Sequence, residues 1–193
     1  MLERETIRQR LRLFRPVPRP VPPHLRARLK PAAVLVPLFF RAGEWRVLLT
    51  RRTDTLGTHK GQVAFPGGAQ EPGDADLVTT ALREAFEELG IPPSVVEPVA
   101  TLGEEPVISG YLVTPVVGLI PEDVHLRPAP AEIARVFSVP LSWLADPSHV
   151  RVEHREWEGV TYPVYYYAPY EDEIIWGLTA RILRQVLVAL GLA

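Results

Sequence analysis

Residues 68–91 read Gly68-Ala-Gln-Glu-Pro-Gly-Asp-Ala-Asp-Leu-Val-Thr-Thr-Ala-Leu-Arg-Glu-Ala-Phe-Glu-Glu-Leu-Gly-Ile91. Their spacing describes a helix with two unlike sides. At about 100° per residue, Val78, Ala81, Leu82, Ala85 and Leu89 form one apolar stripe, and Glu84, Glu87 and Glu88 gather on the other side. The helix is expected over residues 76–89. Gly90 sits where a left-handed terminating residue belongs, and Pro92 follows it. Glu84 and Glu88 are one turn apart, and Arg83 and Glu87 form a second i,i+4 pair. Taken alone, such a charge cluster usually means a solvated acidic face.

The residues in front change that reading. Phe65-Pro66-Gly67-Gly68 sets two glycines before the acidic helix, where backbone can approach a phosphate or a cation closely. Three carboxylates on adjoining turns repel one another unless positive charge lies among them. Arg83 can satisfy one, and a hard divalent cation with oxygen ligands would satisfy the others. Loop and helix together would bring such a cation to a diphosphate. There the ion neutralises the leaving phosphate and acidifies the attacking water.

At this point residues 68–91 resemble the Nudix box, whose core Arg-Glu-X-X-Glu-Glu-X-Gly is here Arg83-Glu84-Ala85-Phe86-Glu87-Glu88-Leu89-Gly90. The first half departs from the pattern. Ala75 stands where the family has a glutamate eight residues before the arginine, the glycine-to-arginine spacing is one residue longer, and Asp74 or Asp76 is the available substitute. The resemblance implies an α+β fold, the Nudix α/β/α sandwich around a mixed sheet. It also implies Mg2+ or Mn2+ as cofactor, with Glu84 and Glu88 as principal ligands, Glu87 as a further one, and Arg83 orienting a glutamate. Such enzymes often recruit a further catalytic glutamate from outside the helix. Glu132 is the favoured candidate, with Glu104 and Glu105 as alternatives.

A second likeness lies upstream. Leu48-Leu49-Thr50-Arg51-Arg52, then Thr58-His59-Lys60-Gly61-Gln62-Val63-Ala64-Phe65-Pro66-Gly67-Gly68, is similar to the signature of the coenzyme A pyrophosphatase branch. So is Ile175-Trp176-Gly177-Leu178-Thr179-Ala180-Arg181. Thr53 and Gly57 depart from the signature, and Gly57 stands where an arginine is usual. Arg51, Arg52, His59 and Lys60, with Gly67 and Gly68, are the expected substrate-binding set. Four cationic positions suit a substrate with a diphosphate and a 3′-phosphate, although Arg51 and Arg52 could equally end a strand at the surface. This likeness implies hydrolysis of coenzyme A, or its thioesters, to 3′,5′-ADP and 4′-phosphopantetheine. ADP-ribose or another nucleoside diphosphate derivative is the alternative substrate, and a non-catalytic nucleotide-binding regulatory module is the alternative of another class.

The rest of the chain bounds these readings. Its 193 residues suit one domain with a substantial core. A net charge of −2 gives no reason to expect nucleic acid or an anionic membrane as partner. The chain has no cysteine, which excludes disulfides and thiolate metal sites and fits a reducing cytoplasm. Arg4, Arg8, Arg10 and Arg12 leave no apolar centre for a signal peptide, and no run approaches a membrane span. A soluble, cytoplasmic protein acting on a small molecule is expected.

Residues 1–30 read as an N-terminal extension with a proline-rich connector, and 31–193 as the catalytic domain. Leu2, Ile7, Leu11 and Phe14 offer an apolar side to a short first helix, and Pro16, Pro18, Pro20, Pro22 and Pro23 make an extended spacer. Ala32–Phe40 and Trp45–Arg52 form a hairpin around Arg41-Ala42-Gly43-Glu44, and 150–157 with 160–167 form another around Glu158-Gly159. Short strands are expected at 62–65, 95–102 and 111–120. Ile182, Leu183, Val186, Leu187 and Leu190 mark a final amphipathic helix.

Overall fold

The computed structural model describes residues 2–17, 21–54, 61–157 and 159–193. The expected substrate-binding residues His59 and Lys60, and the departure at Gly57, lie outside them. In chain order the elements are α1 (Arg4–Leu13), α2 (Pro23–Arg26), β1 (Lys30–Arg41), β2 (Glu44–Arg52), β3 (Val63–Ala64), β4 (Gly67–Ala69), α3 (Leu77–Leu89), β5 (Glu97–Thr101), β6 (Glu105–Val107), β7 (Tyr111–Leu119), β8 (Ile133–Pro140), α4 (Leu141–Ala145), β9 (Val150–Trp157), β10 (Val160–Tyr167) and α5 (Gly177–Ala189).

The near-continuous apolar run of β1 explains the layering, because a strand without polar alternation must be covered on both faces. Ala33, Leu35 and Phe39 pack with Ala81, Ala85 and Leu89 of α3. Val36 and Leu38 belong to the opposite cluster, with Ile182, Leu183 and Val186 of α5. β1 runs parallel to β7 and antiparallel to β2 and β4, so the sheet is mixed. Among the described residues it has eight strands, and β9 and β10 form a separate antiparallel pair. This is the expected α+β sandwich, with α3 on one face and α5 on the other.

The anticipated strands pair antiparallel at both expected hairpins, and Glu158 of the second turn lies outside the described residues. At the first, Ala42 and Gly43 have φ of 50° and 86°, as a two-residue turn matching the strand twist requires. The first helix buries Ile7 and Leu11 in the α5-side core, with Leu2 and Phe14 packed against it, and Arg8 forks onto Glu97 with two 2.7 Å hydrogen bonds. The strand expected at 95–102 begins later, at Glu97, because Pro93–Val95 is a 3-10 turn. α2, β4, β6 and α4 have no counterpart in the sequence reading, since three to five residues are too few to show a period. α2 begins at Pro23, expected to end the extended spacer, which instead opens a helical turn, a position proline favours.

α3 has the expected ends. Asp76 accepts a 2.7 Å hydrogen bond from the Thr79 amide, capping the first turn. Gly90 closes the helix at φ 69°, and its amide donates to the Phe86 carbonyl at 2.8 Å. A Cβ at Gly90 would stand 2.9 Å from the Cβ of Arg127. Gly90→Val therefore meets both an unfavourable left-handed backbone and a steric contact. The variant is expected to lose about 1–2 kcal/mol, measured by denaturant unfolding at constant m-value, and a midpoint equal to wild type would refute the cap.

Candidate active site

The basic residue of the helix organises the approach to it. Arg83 Nε and Nη2 fork onto Asp74 at 3.0 and 3.1 Å, and Nη2 also donates to the Ala69 carbonyl at 3.0 Å. Nη1 reaches Glu84 at 2.9 Å and Glu87 at 3.2 Å. The Arg83 hydrogen bonds hold the Asp74 carboxyl well below the usual carboxylate range, with the Glu71 amide adding to the effect. Asp74 thus takes the place left by Ala75, while Asp76 caps the helix. One arginine ties the 69–74 loop to the acidic turns of α3.

The carboxylates differ sharply in exposure. The Glu87 side chain is 55% exposed, Glu84 16% and Glu88 5%. The expectation that all three lie away from the apolar stripe holds for Glu87, which alone of the three faces solvent. At about 100° per residue Glu88 falls within about 20° of Ala81, at the edge of that stripe, and is buried with it. The side carrying Glu84 and Glu88 is covered by the glycine strand β4. A Cβ at Gly68 would lie 2.6 Å from Glu84 Cδ, and one at Gly67 would lie 2.7 Å from Val34 Cα. Glycine at 68 makes room for the Glu84 carboxylate, and glycine at 67 lets β4 close on β1. The Gly67 amide hydrogen-bonds to Glu88.

Glu88 Oε2 is buried without a hydrogen-bond partner. Burial raises the Glu88 pKa to about 7. Arg52 opposes that rise, while Glu132 and Glu84 reinforce it. Burial likewise raises the Glu84 pKa. Arg52 Nη1 lies 3.4 Å from Glu88 and Nη2 3.7 Å from Glu132, so the pairing of β8 with β2 brings Glu132 near the acidic helix. Glu104 instead pairs with Arg26 at 2.6 Å, and Glu105 is buried against Arg181 at 3.0 Å. Arg51 does not join Arg52. Successive side chains of a strand point to opposite faces, and Arg51 meets Asp54 at 3.4 Å and Glu173 at 3.9 Å.

Among the described residues no three carboxylates or histidines converge on one point as a ready-made cation cage. The donor set nevertheless suits Mg2+ or Mn2+. Mg2+ commonly takes one or two protein carboxylates and completes its shell with water and substrate phosphate, and the unpartnered Glu88 oxygen is a buried acceptor that such a cation would satisfy. Glu84 and Glu88 are the residues that could hold the ion, with Glu87 at the exposed margin. Beside them opens a cleft of about 730 Å3, with Arg52, Gly67 and Gly68 on one part of its wall and Arg155, Trp176 and Arg181 on another. Trp176 belongs to one of the quoted sequence signatures but carried no assigned role, and no sequence signal marks Arg155.

A Nudix domain matches residues 29–162. The chain is 43% identical over 167 residues to a Photorhabdus laumondii protein named "Uncharacterized Nudix hydrolase NudL", covering 86% of this chain and 88% of that one. It is 45% identical over 155 residues to the Yersinia pestis protein of the same name, covering 80% and 77%. The chain belongs to the Nudix hydrolase family. The fold agrees with solved structures. A Deinococcus radiodurans protein superposes with a TM-score of 0.53 at 16% identity, over 81% of this chain and 82% of that one. A MutT/nudix family protein of Enterococcus faecalis gives 0.50 at 17%, over 92% and 71%. No helix among the described residues is long and apolar enough to cross a membrane.

The state of Glu88 generates a test in metal-free protein. Its folded pKa of about 7 lies above the ordinary 4.5, so the folded state holds the extra proton between those values. Stability is then full below pH 4.5 and falls as pH rises to about 7. At pH 8 with chelator, Glu88→Gln is expected to be more stable than wild type by on the order of 1–3 kcal/mol, with the gap closing toward pH 5. Parallel stability–pH curves for the two proteins would contradict a buried Glu88 carboxylate with one unpartnered oxygen.

Proposed function

We propose that the protein is a divalent-metal-dependent pyrophosphohydrolase that cleaves the diphosphate of coenzyme A, or its thioesters, into 3′,5′-ADP and 4′-phosphopantetheine. The observation that carries this reading is the pair of sheltered carboxylates, Glu84 and Glu88, with an unpartnered Glu88 oxygen, at the glycine wall of an open cleft. Glu84 and Glu88 hold the ion, and Glu87 assists from the exposed side. When bound, Mg2+ or Mn2+ supplies charge neutralisation for the diphosphate and acidification of the attacking water.

The chain's own groups do the rest. Arg83 fixes the carboxylates by holding the helix to the 69–74 loop. Arg52 balances Glu88 and Glu132 and lines the cleft beside Gly67 and Gly68, where it meets substrate phosphate. Glu132, 46% exposed and within reach of Arg52, accepts the proton of the attacking water. A new bond joins the water oxygen to one phosphorus, the bridging P–O bond breaks, and two phosphate monoesters leave. His59 and Lys60 remain candidates for further phosphate contacts. A purely regulatory module has no use for this carboxylate set.

The coenzyme A assignment is supported by the signatures at 48–68 and 175–181. ADP-ribose offers the same adenosine diphosphate to the same carboxylates, so substrate choice is tested directly. With Mg2+ or Mn2+, coenzyme A is expected to give the highest kcat/KM among coenzyme A, 3′-dephospho-coenzyme A and ADP-ribose, with 3′,5′-ADP as product. A clear preference for ADP-ribose would move the protein to that substrate class, and metal binding without any hydrolysis would favour a regulatory module. Glu88→Gln is expected to lower kcat by about a thousandfold or more with the fold intact, since it removes a carboxylate that holds the ion while keeping the size of the buried side chain. Unchanged turnover at saturating Mg2+ would remove Glu88 from the site.

A further inference from the structure

Trp176 and Arg155 lie on the cleft wall and take no part in the chemistry above. Trp176 directly precedes α5 and is 38% exposed. Its indole stacks on Tyr166 with ring centroids 5.8 Å apart and planes 2° from parallel, and their backbones form an isolated bridge. Tyr166 is itself held, with the Arg151 guanidinium 4.3 Å from its ring centroid and its hydroxyl accepting a 2.8 Å hydrogen bond from Arg155 Nη2. A large ring fixed flat by a second ring, and left partly uncovered at a cleft, is a ready stacking surface.

The charge beside it is poorly neutralised. The Arg155 side chain is 56% exposed and meets Glu153 at 3.4 Å, a carboxylate that Arg151 also engages. A stacking surface next to an available guanidinium suits a planar base that carries a phosphate nearby. The adenine half of coenzyme A is such a group, with its phosphate on the 3′ position of the attached ribose. The pantetheine arm has neither a flat ring nor a charge. Arg51, expected from the sequence to contact phosphate, is drawn instead to Asp54 and Glu173, and Gly57 brings no guanidinium.

We propose that Trp176 stacks the adenine and Arg155 binds the 3′-phosphate of a 3′-phosphoadenosine substrate, making this end of the cleft the specificity site. The assignment rests on the diphosphate-cleaving reading above, but it concerns ligand recognition and is measured without turnover. The probes are 5′-AMP and 3′,5′-ADP, neither of which contains a diphosphate, titrated into the Mg2+-loaded protein by calorimetry and by tryptophan fluorescence.

Wild type is expected to bind 3′,5′-ADP about ten- to a hundredfold more tightly than 5′-AMP, the usual reach of one charge-assisted contact. In Arg155→Gln that ratio is expected to fall toward one. Trp176→Ala is expected to weaken both nucleotides by about five- to a hundredfold. Trp176→Phe keeps a ring, so it is expected to retain most of the affinity while losing the fluorescence quench. This second variant carries the test if Trp176→Ala does not fold. Equal wild-type affinities, an unchanged ratio in Arg155→Gln, a quench that persists in Trp176→Phe, or 4′-phosphopantetheine quenching Trp176 would each overturn the assignment. Nucleotide binding as expected, with coenzyme A left uncut, would sink the substrate reading and leave this one standing. Cleavage of coenzyme A with unaltered kcat/KM in Arg155→Gln would do the reverse.

Discussion

The site depends on the absence of two β-carbons. Gly67 and Gly68 let β4 lie against β1 on one side and against the Glu84 carboxylate on the other. With side chains there, α3 would stand off from the sheet and its carboxylates would meet water. The close approach desolvates Glu88 and leaves one of its oxygens without a partner, and a buried carboxylate without compensation is unfavourable unless it is protonated or meets a cation. The same contact that completes the fold thereby creates the demand for positive charge.

Arg83 keeps that arrangement in register. Its guanidinium faces Asp74, the Ala69 carbonyl, Glu84 and Glu87, so one side chain ties the loop to two successive turns of the helix. Because the fork to Asp74 is bidentate and largely buried, it fixes direction as well as distance. The family's usual glutamate is absent at position 75, yet an aspartate one residue earlier reaches the same arginine. A shift of one position in a loop is tolerated where the backbone has room to adjust, whereas a shift within the helix would rotate the carboxylates away by about 100°.

The opposite side of the molecule supports this face. β1 is buried on both faces, and the α5 side of the sheet carries the larger core, to which α1 adds Ile7 and Leu11. The β9–β10 pair stands outside the main sheet and meets α5 at the Tyr166–Trp176 bridge. Gly67 and Gly68, which lie against the acidic helix, and the proposed recognition pair therefore come from separate units that line one cleft. Such a division lets one unit vary without disturbing the acidic helix.

Local patterns carried much of the architecture. The apolar stripe and Gly90 end of α3, the strands of the two hairpins and the first and last helices are all written in periodicity and turn chemistry. Each of these features depends on neighbours a few residues apart. The acidic cluster was legible as a candidate site for the same reason. Its burial was legible only in part: the wheel sets Glu88 beside Ala81 at the edge of the apolar stripe, whereas Glu84 is covered by β4, which no helical wheel contains. Likewise Arg51 and Arg52 look equivalent in the sequence, and only the strand's alternation within a paired sheet sends one to Glu88 and the other to Glu173. Asp74 was separated from Asp76, and Glu132 from Glu104 and Glu105, only when β4 and β8 were in place. Sequence alone determined which residues could act and what their local structure is. Tertiary packing decided which of them share a dry wall, because desolvation and charge pairing arise between segments that are distant along the chain.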